Sequence, residues 1–227
     1  MPGEGQDAPS YRAGGDEVAM RRRAVVMSGH EGRPEVARQA LGDPAATVRA
    51  AALGALGRTG SLNPEDLACA LDDPAPVVRR RAAQLAPGIL ADQGVDAELM
   101  AHLVRAMGQE DSSVCEAVCH ALGEVPAEMV GTDVVAALVG VARGRPEPLC
   151  REAAVAALGS LGKPEGLPAV LEAMADKPAV RRRAAVALAA FEGPEVEEAL
   201  QRASTDKDWQ VRQVAEDLLG ARARPPG

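Results

Sequence analysis

Apolar and polar positions alternate along this chain in one recurring pattern. Val48, Ala52, Leu53 and Leu56 fall on one side of a 3.6-residue helix, and so do Val180, Ala184, Ala185 and Leu188. Each stripe sits in a segment of the form Val-Arg followed by small residues: Val48-Arg49-Ala50-Ala51, Val78-Arg79-Arg80-Arg81, Val180-Arg181-Arg182-Arg183 and Val211-Arg212-Gln213-Val214. Weaker copies begin at Met20, Val114 and Cys150. With the residue after the first apolar one as anchor, the copies stand at 21, 49, 79, 115, 151, 181 and 212. A period of about thirty residues signals a repeat architecture, in which each unit buries its stripe only by stacking on its neighbours.

A second signature precedes the first. Pro34-Glu35, Pro64-Glu65, Pro164-Glu165 and Pro194-Glu195 each open a helix-period run. Proline at the first helical position loses no needed N–H, and glutamate beside it meets the positive end of the helix dipole. Asn63 is a candidate N-cap. Each unit therefore reads as helix A, a turn, then helix B. Gly42-Asp43-Pro44, Asp72-Asp73-Pro74, Asp176-Lys177-Pro178 and Asp206-Lys207-Asp208 mark the turns. The glycines of Leu56-Gly57, Leu122-Gly123, Leu158-Gly159 and Leu219-Gly220 are expected to cap helix B in a left-handed conformation.

The Asp-Pro, Val-Arg, Ala-Ala and Leu-Gly sequence in repeated register resembles the HEAT repeat, particularly the short bacterial form associated with phycobilin lyases. The resemblance covers residues 17–220. It implies an all-α fold, an α-solenoid of about seven helix-turn-helix repeats, with residues 1–16 and 221–227 as disordered tails. It also implies a ladder along the stacked turns, made here by Asp43 and Arg49, Asp73 and Arg79, Asp176 and Arg181, and Asp206 and Arg212. At the fourth unit the two slots hold Gln109 and Cys115, and at the fifth Arg145 and Arg151. The ladder thus breaks where the spacing lengthens, and the solenoid is expected to be irregular between about 90 and 150.

Composition sharpens this reading. Ala supplies 46 of the 227 residues, and only Tyr11, Phe191 and Trp209 are aromatic. Such a chain packs on small side chains at close helix separations and disfavours a β-fold. No apolar stretch is long enough for a membrane span. There is no secretory leader pattern, and the four cysteines do not form a disulfide framework, so a reducing cytoplasm is expected. The formal charge of -8 argues weakly against general nucleic-acid binding.

In HEAT folds the B helices line the concave face, so the residues after each anchor are the candidate contact surface. Arg22, Arg80, Arg81, Glu116, Arg182 and Arg183 are the candidates there, facing a protein partner with an acidic segment. The bland alternative is an ordinary solvated charge pattern. No catalytic residue, cofactor or metal is expected. Cys115, Cys119 and Cys150, and likewise Cys69, read as small core residues rather than as zinc or redox ligands. Two rival functions come with the resemblance. One is an enzyme or enzyme subunit of the bilin-lyase kind, or a di-iron hydroxylase like deoxyhypusine hydroxylase, although His30-Glu31 is the single His-Glu pair. The other is nucleic-acid binding like that of HEAT-like DNA glycosylases, for which the lone Trp209 offers little.

Overall fold

The computed structural model describes residues 10–223, with side chains from residue 15 onward. Of the expected tails at 1–16 and 221–227, residues 1–9 and 224–227 lie outside the described residues, while the last helix runs on to Arg222 inside the second. Thirteen α-helices and no strand occur among the described residues. The first, α1 (Ser10–His30), stands alone. Six pairs follow: α2 (Pro34–Ala40) with α3 (Ala46–Arg58), α4 (Pro64–Leu71) with α5 (Pro76–Gln93), and α6 (Ala97–Met107) with α7 (Ser112–Glu124). Then come α8 (Thr132–Gly144) with α9 (Pro148–Leu161), α10 (Leu167–Ala173) with α11 (Pro178–Ala187), and α12 (Pro194–Ala203) with α13 (Trp209–Arg222). The first of the seven units is therefore a half unit among the described residues. Its helix starts at Ser10, inside the stretch assigned to the leading tail.

The apolar stripes are the core. Val48, Ala52, Leu53 and Leu56 are all fully buried, as are Val180, Ala184, Ala185 and Leu188. Each B helix (α1, α3, α5, α7, α9, α11, α13) packs on the next one, while contacts between successive A helices are sparser. The B helices thus form the continuous layer of the stack. On α1, Met20 and Met27 are exposed among the described residues.

The proline openings behave as expected at Pro34, Pro64 and Pro194, each the first residue of its helix, whereas Pro164 opens a single 3-10 turn ahead of α10. Asn63 accepts a hydrogen bond from the Asp66 N–H at 2.8 Å, and the Asp66 carboxylate accepts one from the Asn63 N–H at 3.2 Å. This is a reciprocal capping box.

The Leu-Gly glycines require a correction. Gly57, Gly123, Gly159 and Gly220 lie inside their helices, and none has positive φ. The left-handed turns fall elsewhere, among them Gly60 (φ 67°) and Gly162 (φ 59°). Gly123 and Gly159 instead mark where B helices touch backbone to backbone. A Cβ on Gly159 would lie 2.6 Å from the Ala187 Cβ and 2.8 Å from its Cα. A Cβ on Gly123 would lie 2.9 Å from the Ala157 Cα, and one on Gly29 2.8 Å from the Ala55 Cα.

The extra residues of the long central units are taken up outside the B–B contacts. An extended α5 and the loop before α6 absorb one set. A 3-10 turn at Ala127–Met129 between α7 and α8 absorbs the other. The B layer runs on unbroken through α5, α7 and α9.

Candidate functional site: the arginine ladder and the B-helix groove

The turn between A and B helices is closed by two groups that the repeat supplies together. The Asp43 carboxylate accepts the Ala45 N–H at 2.8 Å, and Asp73 accepts the Ala75 N–H at 2.8 Å. The anchor arginine of the same unit donates Nη1 to the turn carbonyls: Arg49 to Asp43 O at 2.9 Å, Arg79 to Asp73 O at 2.8 Å, Arg181 to Asp176 O at 2.9 Å and Arg212 to Asp206 O at 2.8 Å. The rest of the guanidinium points forward. Arg49 clamps Asp73 of the next unit with two bonds of 2.7 Å, and Arg181 clamps Asp206 with two of 3.1 Å. Arg21 to Asp43 and Arg151 to Asp176 are two more such rungs.

Each acid of the sequence-derived pairs therefore meets the side chain of the preceding unit's arginine, and its own unit's arginine only through backbone. The charge-assisted bonds from the Arg21 guanidinium and the Ala45 N–H hold the Asp43 carboxyl below its ordinary range. Arg151 does the same for Asp176. For Asp73 burial opposes ionisation, but the Arg49 bonds and the Ala75 N–H outweigh it. For Asp206 burial is likewise outweighed, by the Asp208 N–H and Arg181.

The break in the ladder has a definite geometry. The slot that would hold the acid for Arg79 carries Gln109, and the buried Nε of Arg79 finds no partner among the described residues. At the next rung Cys115 occupies the arginine slot, and the two turn carbonyls it would have closed are taken by Arg145 instead. Arg145 donates to Gln109 O at 3.0 Å and to Glu110 O at 3.4 Å, from a unit further along. Cys115, Cys119 and Cys150 pack around this rung, all buried. Hydrogen bonding with Cys119, together with Cys150 and the Arg145 charge, outweighs burial and lowers the Cys115 thiol to about 7. Burial with the neighbouring Cys115 raises Cys150 to about 11. Cys69 is different from its sequence reading. It is exposed on α4 and is no part of the core.

The B-helix face carries the candidate contact residues, and the structure sorts them. Arg22, Arg80 and Arg81 converge on one groove of about 450 Å³, with Arg58 joining them from the end of α3. Ala50, Ala51 and Gly54 of α3 form its floor, with Val26 and Val77 at its sides. Glu116 lines an adjoining hollow with His120 and Glu124, and Arg80 borders both. Arg182 and Arg183 stand apart. Arg182 donates to Asp208 at 2.7 Å, and Arg183 to Glu152 at 3.4 Å. Arg22, Arg58, Arg80 and Arg81 form no ion pair among the described residues. A hollow of similar size lies on the opposite, A-helix side, but its arginines Arg38 and Arg49 are already paired with Asp66 and Asp73.

Sequence reasoning missed Arg58, because it lies nine residues beyond its anchor, outside the slots compared between units. It also left the fate of Arg182 and Arg183 open, since their acids come from other helices.

Paired helices stacked in one direction and held by a forward-pointing Arg–Asp ladder define an α-solenoid repeat protein. The family of HEAT repeats matches at residues 64–159, 101–179 and 135–220. The chain belongs to that family. Among solved structures it is similar to an engineered protein (20% identity, TM-score 0.64, covering 82% of this chain and 97% of that one). It is also similar to a designed armadillo repeat protein in complex with the peptide (KR)4 (16%, TM-score 0.63, 83% and 98%). A third is the complex of CpcE and CpcF of phycocyanin lyase from Nostoc sp. PCC7120 (23%, TM-score 0.55, 83% and 76%). These likenesses establish the fold. No curated protein matches the chain. No helix among the described residues is long and apolar enough to cross a membrane.

Proposed function

We propose that this solenoid is a non-catalytic interaction scaffold whose B-helix face captures an acidic segment of a protein partner. The groove walled by Arg22, Arg58, Arg80 and Arg81 carries the reading, because its own lining holds four cations and no carboxylate. Like charges gathered over an apolar floor repel one another, and an anionic ligand relieves that repulsion. Elsewhere on the same face the chain neutralises its own arginines, as at Arg182 and Arg183. The designed armadillo neighbour is seen with a basic peptide. The groove here calls for the opposite sign.

The contact set is accordingly Arg22, Arg58, Arg80 and Arg81, with Glu116 at the margin and Arg182 and Arg183 demoted. The test is capture of partners from a lysate of the native host by the wild type and by a triple variant with Arg22, Arg80 and Arg81 replaced by Ala. The variant should keep its helical circular dichroism and lose the captured protein. Equal capture by both would reject the groove.

A further inference from the structure

Two places in the B layer share the same register and differ in the residue that faces the arginine. In α11, Arg183 stands two residues after its anchor Arg181, and it reaches Glu152, the residue just after the anchor of the preceding B helix. In α5 the equivalent residue is Arg81, two after Arg79, and the position equivalent to Glu152 is Ala50 on α3. Arg81 therefore holds the register of Arg183 and lacks its acceptor. It is also drawn down onto the floor. Its Nη2 lies 2.6 Å from where a Gly54 Cβ would be, so a side chain at 54 would displace it. Arg58 donates to the Gly54 carbonyl at 3.4 Å, which brings a second guanidinium to the same glycine.

We infer that Arg81 and Arg58 form a carboxylate subsite over Gly54, filled by an Asp or Glu side chain of the bound segment in the place that Glu152 takes beside Arg183. The inference rests on the groove being the binding face and names the chemistry recognised there. A guanidinium presents a planar fork of donors that matches a carboxylate. The floor residues Ala50 and Ala51 are small and half-buried, so an extended acidic segment can approach the α3 backbone closely. The partner is a peptide, because the chain's own solution at the equivalent register is a single side-chain carboxylate.

The substitution Ala50→Glu installs that native solution at Arg81 and should compete with the ligand from within. Ala50→Gln adds nearly the same bulk without charge. The probe is a fluorescein-labelled octaglutamate peptide, titrated by anisotropy at low salt against the full chain, with circular dichroism as a check of folding. Wild type should bind, Ala50→Gln should bind within about twofold of it, and Ala50→Glu should bind at least about tenfold more weakly, the size expected for loss of one charge-assisted contact. Wild type and Ala50→Glu binding alike would overturn the subsite and leave the acidic-partner reading standing. Equal losses in both variants would overturn it as an effect of bulk. No binding by wild type would take down the acidic-partner reading as well. Tighter binding of duplex DNA than of the peptide would overturn the assignment to a carboxylate.

Discussion

Gly159→Ala tests the close B–B contact most sharply, because helix propensity and packing pull in opposite directions. Gly159 lies within α9, where alanine would favour the helix by about 1 kcal/mol. Its new Cβ, however, would sit 2.6 Å from the Ala187 Cβ and 2.8 Å from the Ala187 Cα. Carbon atoms pack at about 3.5–4.0 Å, so α9 and α11 must separate by roughly 1 Å. The obstacle is backbone, which cannot rotate away as a side chain would. The gap is passed on to Ala154, Leu158, Ala184 and Ala185, all buried. Overpacking of this kind costs about 1–3 kcal/mol, and the rigid neighbour puts it near the top of that range. Subtracting the propensity gain leaves a net loss of about 2 kcal/mol. At about 2–4 °C per kcal/mol for a chain of this size, the midpoint of thermal unfolding should fall by roughly 4–8 °C. Gly140→Ala in α8 is the control, since nothing lies within 4 Å of its added Cβ. That variant should gain about 0.5–1 kcal/mol from propensity alone. Melting followed by circular dichroism at 222 nm separates the two. A Gly159→Ala protein that melts at or above wild type would refute the account of these glycines as contact points.

Restoring the missing rung should stabilise the protein. Gln109→Asp offers Arg79 a carboxylate for its unpartnered Nε, worth about 1 kcal/mol, and an unmoved urea midpoint would contradict it. The ladder also fixes an acid limit. The folded-state carboxyls of Asp43, Asp73, Asp176 and Asp206 are all lowered, so their contribution is complete above the unfolded value of about 3.9 and is lost as pH falls through the lower folded values. Urea midpoints should therefore hold steady above about pH 5 and drop below about pH 4; a flat profile down to pH 2 would be inconsistent with these rungs. Thiol labelling of the native protein should modify Cys69 rapidly and Cys115, Cys119 and Cys150 only on unfolding. Two or more fast thiols would contradict the packing around Arg145.

The solenoid was legible in the sequence because its stripe is set by one helical period and copied in register. Val48 and Val180 could be aligned without knowing any contact, and both are fully buried. The ladder was legible as composition but not as connection. Asp43 and Arg49 are six apart in sequence, yet the carboxylate of Asp43 meets Arg21, because the arginine fork points along the stack rather than back to its own turn. Glycine misled for a related reason. A glycine after leucine near a helix end suits a left-handed cap equally well as a close crossing, and only the neighbouring helix decides between them. Cys69 read as core because the A-helix stripe is short, and one position of error turns a residue from the interior to solvent. The groove was half legible. Arg22, Arg80 and Arg81 were found through slot equivalence, whereas Arg58 and the neutralising acids Glu152 and Asp208 depend on which helices lie side by side.

The forward-pointing rung has a consequence for how such a chain can change its length. Arg151 and Arg181, Asp176 and Asp206, and Ala157 and Ala187 are each separated by thirty residues. A chain lacking residues 152–181 would set Arg151 opposite Asp206 and Gly123 against Ala187, the same partners in kind that they have now. Whole modules can thus be gained or lost in this region without inventing a new interface. In the central region, where Arg145 reaches back to serve a foreign turn, the same excision would strand an arginine, so growth and shortening there are locked.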